Sequence, residues 1–407
     1  MEPARIEEHK SPREKLRDLE AEISSRIFER EDEIRGFTVG LLVRAHVLFL
    51  GPKGCAKSTL GRLLADAVAW EDVPEGQDPY FRTQLGRDSV LDELFGPVSS
   101  EGFENDSFRR VTAHMLPEAK LGLIEEIYKS NSTVLNRLLT LLNEGLFKNG
   151  TEPEQGVPLN LVVGTSNELP DDRDDNLDAF HDRFLLRYEV DYLQDPQNVR
   201  AMMERANSGE ESRPIPHMIT ESEIVQAREE AARVDVSPVF DAIDDVLLSV
   251  ADREIVPSDR RRAALVSLVK AQAYLSGRSA AVRADLGILA HALWEETRQI
   301  PDVARIVLAA ANPHEYRAQD LFDTVTDAYE AAMKAHRERK ENNDEEHRTA
   351  ETDTGIDANV ALLNVKRQLF ELREAAKDSG ADPKRIDDLL NRTVAMNEEV
   401  EKKCLPL

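Results

Sequence analysis

Between residues 46 and 190, short apolar runs alternate with stretches of helical periodicity, a pattern that predicts a parallel sheet covered by helices. The apolar runs put strands over 46–50, 79–84, 121–125, 159–165 and 184–190. The periodic stretches put helices over 58–69, 88–95, 131–144 and 175–183. Upstream, residues 11–35 read as one charged helix with apolar points at Leu16, Leu19, Ile23, Ile27, Phe28 and Ile34, and a second helix follows over 37–44. Residues 103–116 have weak helical character and read as short strands or a hairpin. Another hairpin is expected over 146–158, where Asn149-Gly150 and Gln155-Gly156 are turn signals.

Past Asp191 the pattern becomes all helical, most clearly over 217–305, with Leu265, Leu268, Val269, Ala273 and Leu275 on one face. Residues 337–356 are almost without apolar side chains and read as a solvated linker or a frayed helix end. Two helices are expected after it, over 358–378 and 383–403. Their stripes, Val360, Leu363, Val365, Leu369 and Leu372, then Ile386, Leu389, Leu390 and Val394, suit a helical hairpin or bundle. The expected division is a sheet-bearing core over 1–190, a helical lid over 191–310 and a C-terminal helical region over 311–407 with a polar linker at 337–357.

Chemistry concentrates where the first strand ends. In VLFLGPKGCAKSTLGRLL (47–64) an apolar run breaks into a Gly-rich turn and then opens a helix on Lys-Ser-Thr, the form of a phosphate-binding loop. Gly51, Gly54, Cys55, Ala56 and Thr59 would line the cradle. Lys57 would reach the β- and γ-phosphates, and the Ser58 hydroxyl would join Mg²⁺. The strict pattern asks for Gly where this chain has Ala56. The strand LGLIE, followed by a second Glu, ends in two carboxylates: Glu125 to hold the metal and Glu126 to orient or deprotonate the attacking water. Asn167 closes the next strand, where a γ-phosphate could be sensed. Arg183, Arg187 and Arg260 are of the type that stabilises a transferring phosphoryl group, although arginine runs on an acidic protein more often make solvated faces.

Charge and cysteine content narrow the class. The net charge is -26, from 78 acidic and 52 basic residues, and this argues against a dominant nucleic-acid surface. It also suggests a salt-rich cytoplasm. Cys55 and Cys404 are the only cysteines, so a disulfide framework is not available and a reducing, cytoplasmic location is expected, with no membrane span. Asp172, Asp174 and Asn176 imitate the start of a calcium loop, but Leu177 stands where that loop needs Gly.

The order GPKGCAKST, LGLIEEIYKSNSTVLNRLLTLLNEGLFKNG, GTSNELPDD, LDAFHDRFLLR and VPSDRRRAALVSLVKAQAYLSGRSA, with RIFEREDEIRG at 26–36, resembles the MoxR-type AAA+ ATPases and their RavA-like branch. The resemblance implies an α/β fold: an AAA+ P-loop parallel sheet core (αβα) with a helix-2 insert (96–118), a pre-sensor-1 hairpin (146–158) and a helical lid. It makes Lys57 and Ser58 Walker A, Glu125 and Glu126 Walker B, Asn167 sensor 1, Arg183 an arginine finger acting on the neighbouring subunit, and Arg260 sensor 2. It puts Ile27 and Phe28 around adenine. Glu125 departs from the usual Asp, which predicts slow turnover, and Lys53 stands where Pro is usual. The implied function is a Mg-ATP-dependent, ring-forming chaperone or remodeller, expected as a hexamer, with a von Willebrand factor A domain partner and a protein client. The rivals are an ATP-switched scaffold of slow turnover and, less favoured by the charge, a nucleic-acid motor.

Overall fold

The computed structural model describes residues 10–100, 108–167, 180–208, 214–341, 345–378 and 382–405. The chain forms two compact units, 1–240 with 251–300, and 241–250 with 301–407.

The first unit is built on five strands: β1 (His46–Leu50), β2 (Tyr80–Gln84), β3 (Leu121–Glu125), β4 (Leu161–Ser166) and β5 (Phe184–Glu189). They lie in the order β2-β3-β4-β1-β5, and every pairing is parallel. Strands β1, β3 and β4 are buried on both faces almost throughout, which is why they read as unbroken apolar runs. The register pairs Leu50 with Ser166, and Ile124 with Gly164. The carboxyl ends of β1, β3 and β4 therefore share one edge, and Gly51, Glu126 and Asn167 all follow directly on it.

The helices of this part of the chain are α1 (Pro12–Ser24), α2 (Glu31–Val43), α3 (Lys57–Asp66), α4 (Ser132–Glu144), α5 (Pro196–Ser208), α6 (Glu221–Ala232), α7 (Phe240–Ala251) and α8 (Asp259–Leu275). Local signals set several ends. Ser11 and Glu14 form a capping box on α1, Asn131 caps α4 through the Val134 N–H, and Gly145 ends α4 at φ 60.

The expected single helix over 11–35 is instead two. It breaks at 25–30 because the turn is held from far away: the Arg30 guanidinium donates to the Asp191 carbonyl, and Glu29 takes φ 56. Over 88–95 only Asp92–Phe95 is helical. The hairpin over 146–158 forms, with Leu146–Phe147 antiparallel to Gln155–Gly156. In the segment expected as short strands, Val98 bridges Arg110, while residues 103–107 lie outside the described residues. So do most of the helix expected over 175–183 and the whole Asp172–Leu177 calcium-like stretch.

The second unit is helical, with α9 (Ile300–Ala311) followed by α10 (Pro313–Glu341), α11 (Glu345–Asp378) and α12 (Lys384–Cys404). The last three enclose a core of Phe322, Val325, Leu362, Leu369, Ile386 and Leu389 among others. Two expectations are corrected here. Residues 337–341 and 345–357 are helical rather than linker, because the polar sequence runs along long helices whose inner seam is made of small and polar side chains. Val360 and Leu363 are about half exposed, since the seam of α11 passes through Ala358, Leu362 and Val365 instead.

Candidate active site

The phosphate loop leaves β1 through Gly51. Its φ is 147, and a Cβ there would stand 1.8 Å from the Val190 carbonyl oxygen, so no other residue fits. Ala56 adopts the left-handed conformation (φ 66, ψ 16), the geometry that explains why Gly is the commoner residue at that place. Helix α3 starts at Lys57 without a side-chain cap, which leaves its first-turn N–H groups aimed at whatever fills the loop. Lys57 is nearly buried and folds over the loop, donating to the carbonyls of Gly51 and Pro52, the latter at 2.7 Å. Cys55 is buried with its thiol on the Pro52 carbonyl at 3.0 Å.

Beside the loop, the register of β3 brings the two carboxylates to the same edge. The Ser58 hydroxyl donates to Glu125 Oε1, so Ser58 and Glu125 form a hard-oxygen pair of the kind that holds a small divalent cation. Arg82 on β2, exposed for the most part, closes on the other side of Glu125 at 3.1 Å. Glu126 sits in the left-handed region at φ 54. Its Oε1 accepts from Asn167 Nδ2, and its Oε2 faces the Lys129 ammonium at 3.1 Å. Glu126 and Asn167, on adjacent strands, are thus in direct contact.

A cavity of about 580 Å³ opens against the loop, within the range that holds small molecules. Gly54, Cys55, Ala56 and Thr59 form one wall, and Ile27 and Phe28 stand on another. Opposite them stand Tyr192, from the segment before α5, and Val199, Met202 and Arg205, spread along α5 itself. Glu29 pins that segment: its carboxylate accepts from the N–H groups of Gln194 (2.8 Å) and Asp195 (3.0 Å) and from Asn198 (3.0 Å). These bonds, the Gln194 N–H above all, hold the Glu29 carboxyl below its ordinary pKa. Arg205 lies over the Phe28 ring at 5.9 Å, and the Tyr192 hydroxyl donates to the Lys53 carbonyl at 3.1 Å.

Arg183 and Arg260 lie elsewhere. Arg183 directly precedes β5, and Arg260 Nη1 donates to Asn143 Oδ1 at 3.0 Å near the end of α4. Both are at the amino edge of the sheet, one strand length, roughly 15 Å, from the phosphate loop of the same chain. Arg183 keeps an ion pair of 3.8 Å with Asp182, and its Nε finds no partner among the described residues. Arg187 and Arg261, in contrast, are sunk in the structure. Arg261 binds Asp182 at 3.1 Å and the carbonyls of Leu185 and Ala292. Arg187 donates to the carbonyls of Phe184 (3.0 Å) and His181 (3.2 Å). Burial first, then the Arg261 charge, pulls the Arg187 pKa down to about 9, so it stays protonated at neutral pH.

Sequence reasoning missed Arg82, Tyr192, Met202 and Arg205. The signal for Met202 was the helical spacing of Val199, Met202 and Met203 on a helix rich in polar residues. Arg82 offered none beyond the alternation of its strand.

The model of the MoxR domain in the MoxR-vWA-beta-propeller ternary systems matches residues 14–228, and that of an AAA lid domain matches residues 238–307. Two uncharacterized proteins of Methanocaldococcus jannaschii are similar to this chain. One is 33% identical over 76% of this chain and 78% of its own length, the other 35% identical over 73% and 76%. The fold is similar to that of a crystal structure from Cytophaga hutchinsonii, described as a candidate ATPase, with a TM-score of 0.59 at 17% identity over 74% of this chain and 95% of that one. Since the MoxR model spans more than half of the chain, the chain belongs to the MoxR-type AAA+ ATPases.

Proposed function

We propose that the chain hydrolyses ATP at the interfaces of a ring of its own copies and uses the cycle to remodel a protein complex, as a RavA-like member of its family. The observation that carries this reading is the separation of charges between the two edges of the sheet. Glu126 and Asn167 meet at the carboxyl edge, whereas Arg183 and Arg260 project at the amino edge, too far to serve the loop beside them. A neighbouring copy that docks its amino edge on the loop of the first brings the missing cations to the γ-phosphate. Arg183 then acts as the arginine finger and Arg260 as a second cation across the same interface.

Within one subunit, Lys57 and the N–H groups of α3 hold the phosphates, and Ile27, Phe28 and Tyr192 enclose the base. Ser58 and Glu125 fit Mg²⁺, which when bound would neutralise phosphate charge. Glu126 takes the proton of the attacking water, and Asn167 keeps its carboxylate aimed. Residues 191–310 serve as the lid, a reading that the lid-domain match at 238–307 supports. The family's place in MoxR-vWA-beta-propeller ternary systems supports a partner with a von Willebrand factor A domain. No described helix is long and apolar enough to cross a membrane, in keeping with work in the cytoplasm.

Steady-state hydrolysis of Mg-ATP across a protein-concentration series, with mass measured on the same samples, tests the proposal. Activity per subunit is expected to rise as a ring, expected as a hexamer, forms. Equal activity in isolated subunits would overturn it. One observation favours the second reading, a slow ATP-switched scaffold: Glu125 stands where Asp is usual and is held by both Ser58 and Arg82. On that reading Glu125→Asp raises kcat, and an unchanged or lower kcat removes it.

A further inference from the structure

At one end of the three-helix bundle of the second unit, the inner seams of all three helices change character together. On α10 the seam runs through Phe322, Val325, Tyr329 and Ala332 and then continues, at the same spacing, into His336 and Arg339. On α11 it starts with Glu351 and Gly355 before turning apolar at Ala358, Leu362 and Val365. On α12 it passes Thr393, Asn397 and Val400 and ends on Cys404. Antiparallel connections bring the end of α10, the start of α11 and the end of α12 to the same layer. There His336, Glu351 and Cys404 each turn one ligand atom inward, all within 4.8 Å of one another.

This is an expensive place for a carboxylate. Glu351 is 2% exposed at a position where the heptad pattern calls for an apolar side chain, and a buried charge persists there only with compensating partners. Two are present: His336 Nδ1 is 2.6 Å from Oε1, and Arg339 Nη1 donates to Oε2 at 2.5 Å. Gly355, one turn along α11, makes room for the third group, since a Cβ there would stand 2.8 Å from Cys404 Cβ. A solvent-open cavity of about 770 Å³ reaches this layer and is lined by His336, Glu399 and Lys403 among others.

We propose that His336, Glu351 and Cys404 form a site for a borderline-soft divalent cation, Zn²⁺, that staples the end of the bundle. Imidazole, carboxylate and thiolate are the three side chains that zinc accepts, and a tetrahedral ion sets its ligand atoms roughly 3.3 Å apart, so the present spacing needs only rotamer adjustments. The carboxylate binds through Oε1 while Arg339 keeps Oε2, the outer partner that orients a metal-bound carboxylate. His336 ligates through Nδ1 as the tautomer protonated on Nε2, and the thiol proton of Cys404 passes to solvent as the thiolate binds. The fourth position is left to water from the cavity.

The test uses the full chain without an affinity tag, stripped of metal and free of nucleotide, titrated with Co²⁺ as a spectroscopic stand-in and then with Zn²⁺. Expected is one Co²⁺ per chain with an intense thiolate-to-cobalt absorption that Zn²⁺ abolishes. The band persists in Cys55→Ala and disappears in Cys404→Ser, and Zn²⁺ binds at least about tenfold more weakly in His336→Ala and Glu351→Gln. Absence of the band in the wild-type chain overturns the proposal, so the result does not depend on a variant folding. A band lost in Cys55→Ala and kept in Cys404→Ser overturns it equally.

Discussion

The two edges of the sheet handle charge in opposite ways. At the carboxyl edge three charged groups are answered within the chain: Lys57 by loop carbonyls, Glu125 by Ser58 and Arg82, Glu126 by Asn167 and Lys129. At the amino edge four arginines divide. Arg187 and Arg261 are buried and saturated with carbonyls, whereas Arg183 and Arg260 are held by one weak contact each. Arg260 and Arg261 are adjacent in sequence, so the helix turn alone decides which becomes structural and which faces outward. The paired carboxylates and the two sparsely held arginines, Arg183 and Arg260, thus lie at opposite edges of the sheet.

The strongest way to break the comparison is Arg183→Ala. If this arginine completes a neighbour's site, kcat falls by about 10³ or more while isolated subunits bind nucleotide as before. Steady-state hydrolysis beside equilibrium binding of a fluorescent nucleotide measures both, and normal turnover would show the amino edge to be idle. Smaller in free energy is the contrast between the adjacent arginines. Arg261→Ala strips the partner from Asp182 and leaves buried carbonyls unpaired, so it should cost about 3 to 5 kcal/mol in denaturant unfolding. Arg260→Ala loses one exposed hydrogen bond and should cost no more than about 1 kcal/mol. Equal losses would mean that the two are not divided as the structure divides them.

What was legible in the sequence was what is local. The strands read correctly because a parallel sheet buried on both faces must be written in apolar runs. The turn between β1 and α3 was legible because its glycines, lysine and helix start are contiguous. What is set across the chain was not legible. Ile27 and Phe28 keep helical spacing with Ile23, yet they lie in a turn that Arg30 fixes by reaching the Asp191 carbonyl. Arg82 is an ordinary strand charge until the register of β2 against β3 puts it beside Glu125. The stretch 337–357 looked like a linker because its seam is His336, Glu351 and Gly355 rather than leucines, and only the third helix gives those residues a core to face.

The subtlest test of the amino edge is its pH dependence, through His46. This residue opens β1 with Nδ1 accepting from the Val162 N–H at 3.1 Å, so Nε2 carries the proton and donates to the Leu142 carbonyl at 3.2 Å. Burial, aided by the Arg260 charge, pushes its pKa from the usual 6.5 down to about 4. Between those values the unfolded chain takes up the proton and the folded chain does not. Stability contributed by neutral His46 is therefore full above pH 6.5 and falls as the pH drops, by about 3 kcal/mol in all near pH 4. His46→Gln, which offers both a donor and an acceptor, should flatten that part of the unfolding-versus-pH curve relative to the wild type. In Arg260→Ala the same decline should end at a slightly higher pH, because one repelling charge has gone while the burial remains. A decline unchanged in both variants would mean that neither the imidazole nor the arginine beside it governs the charge balance of this edge.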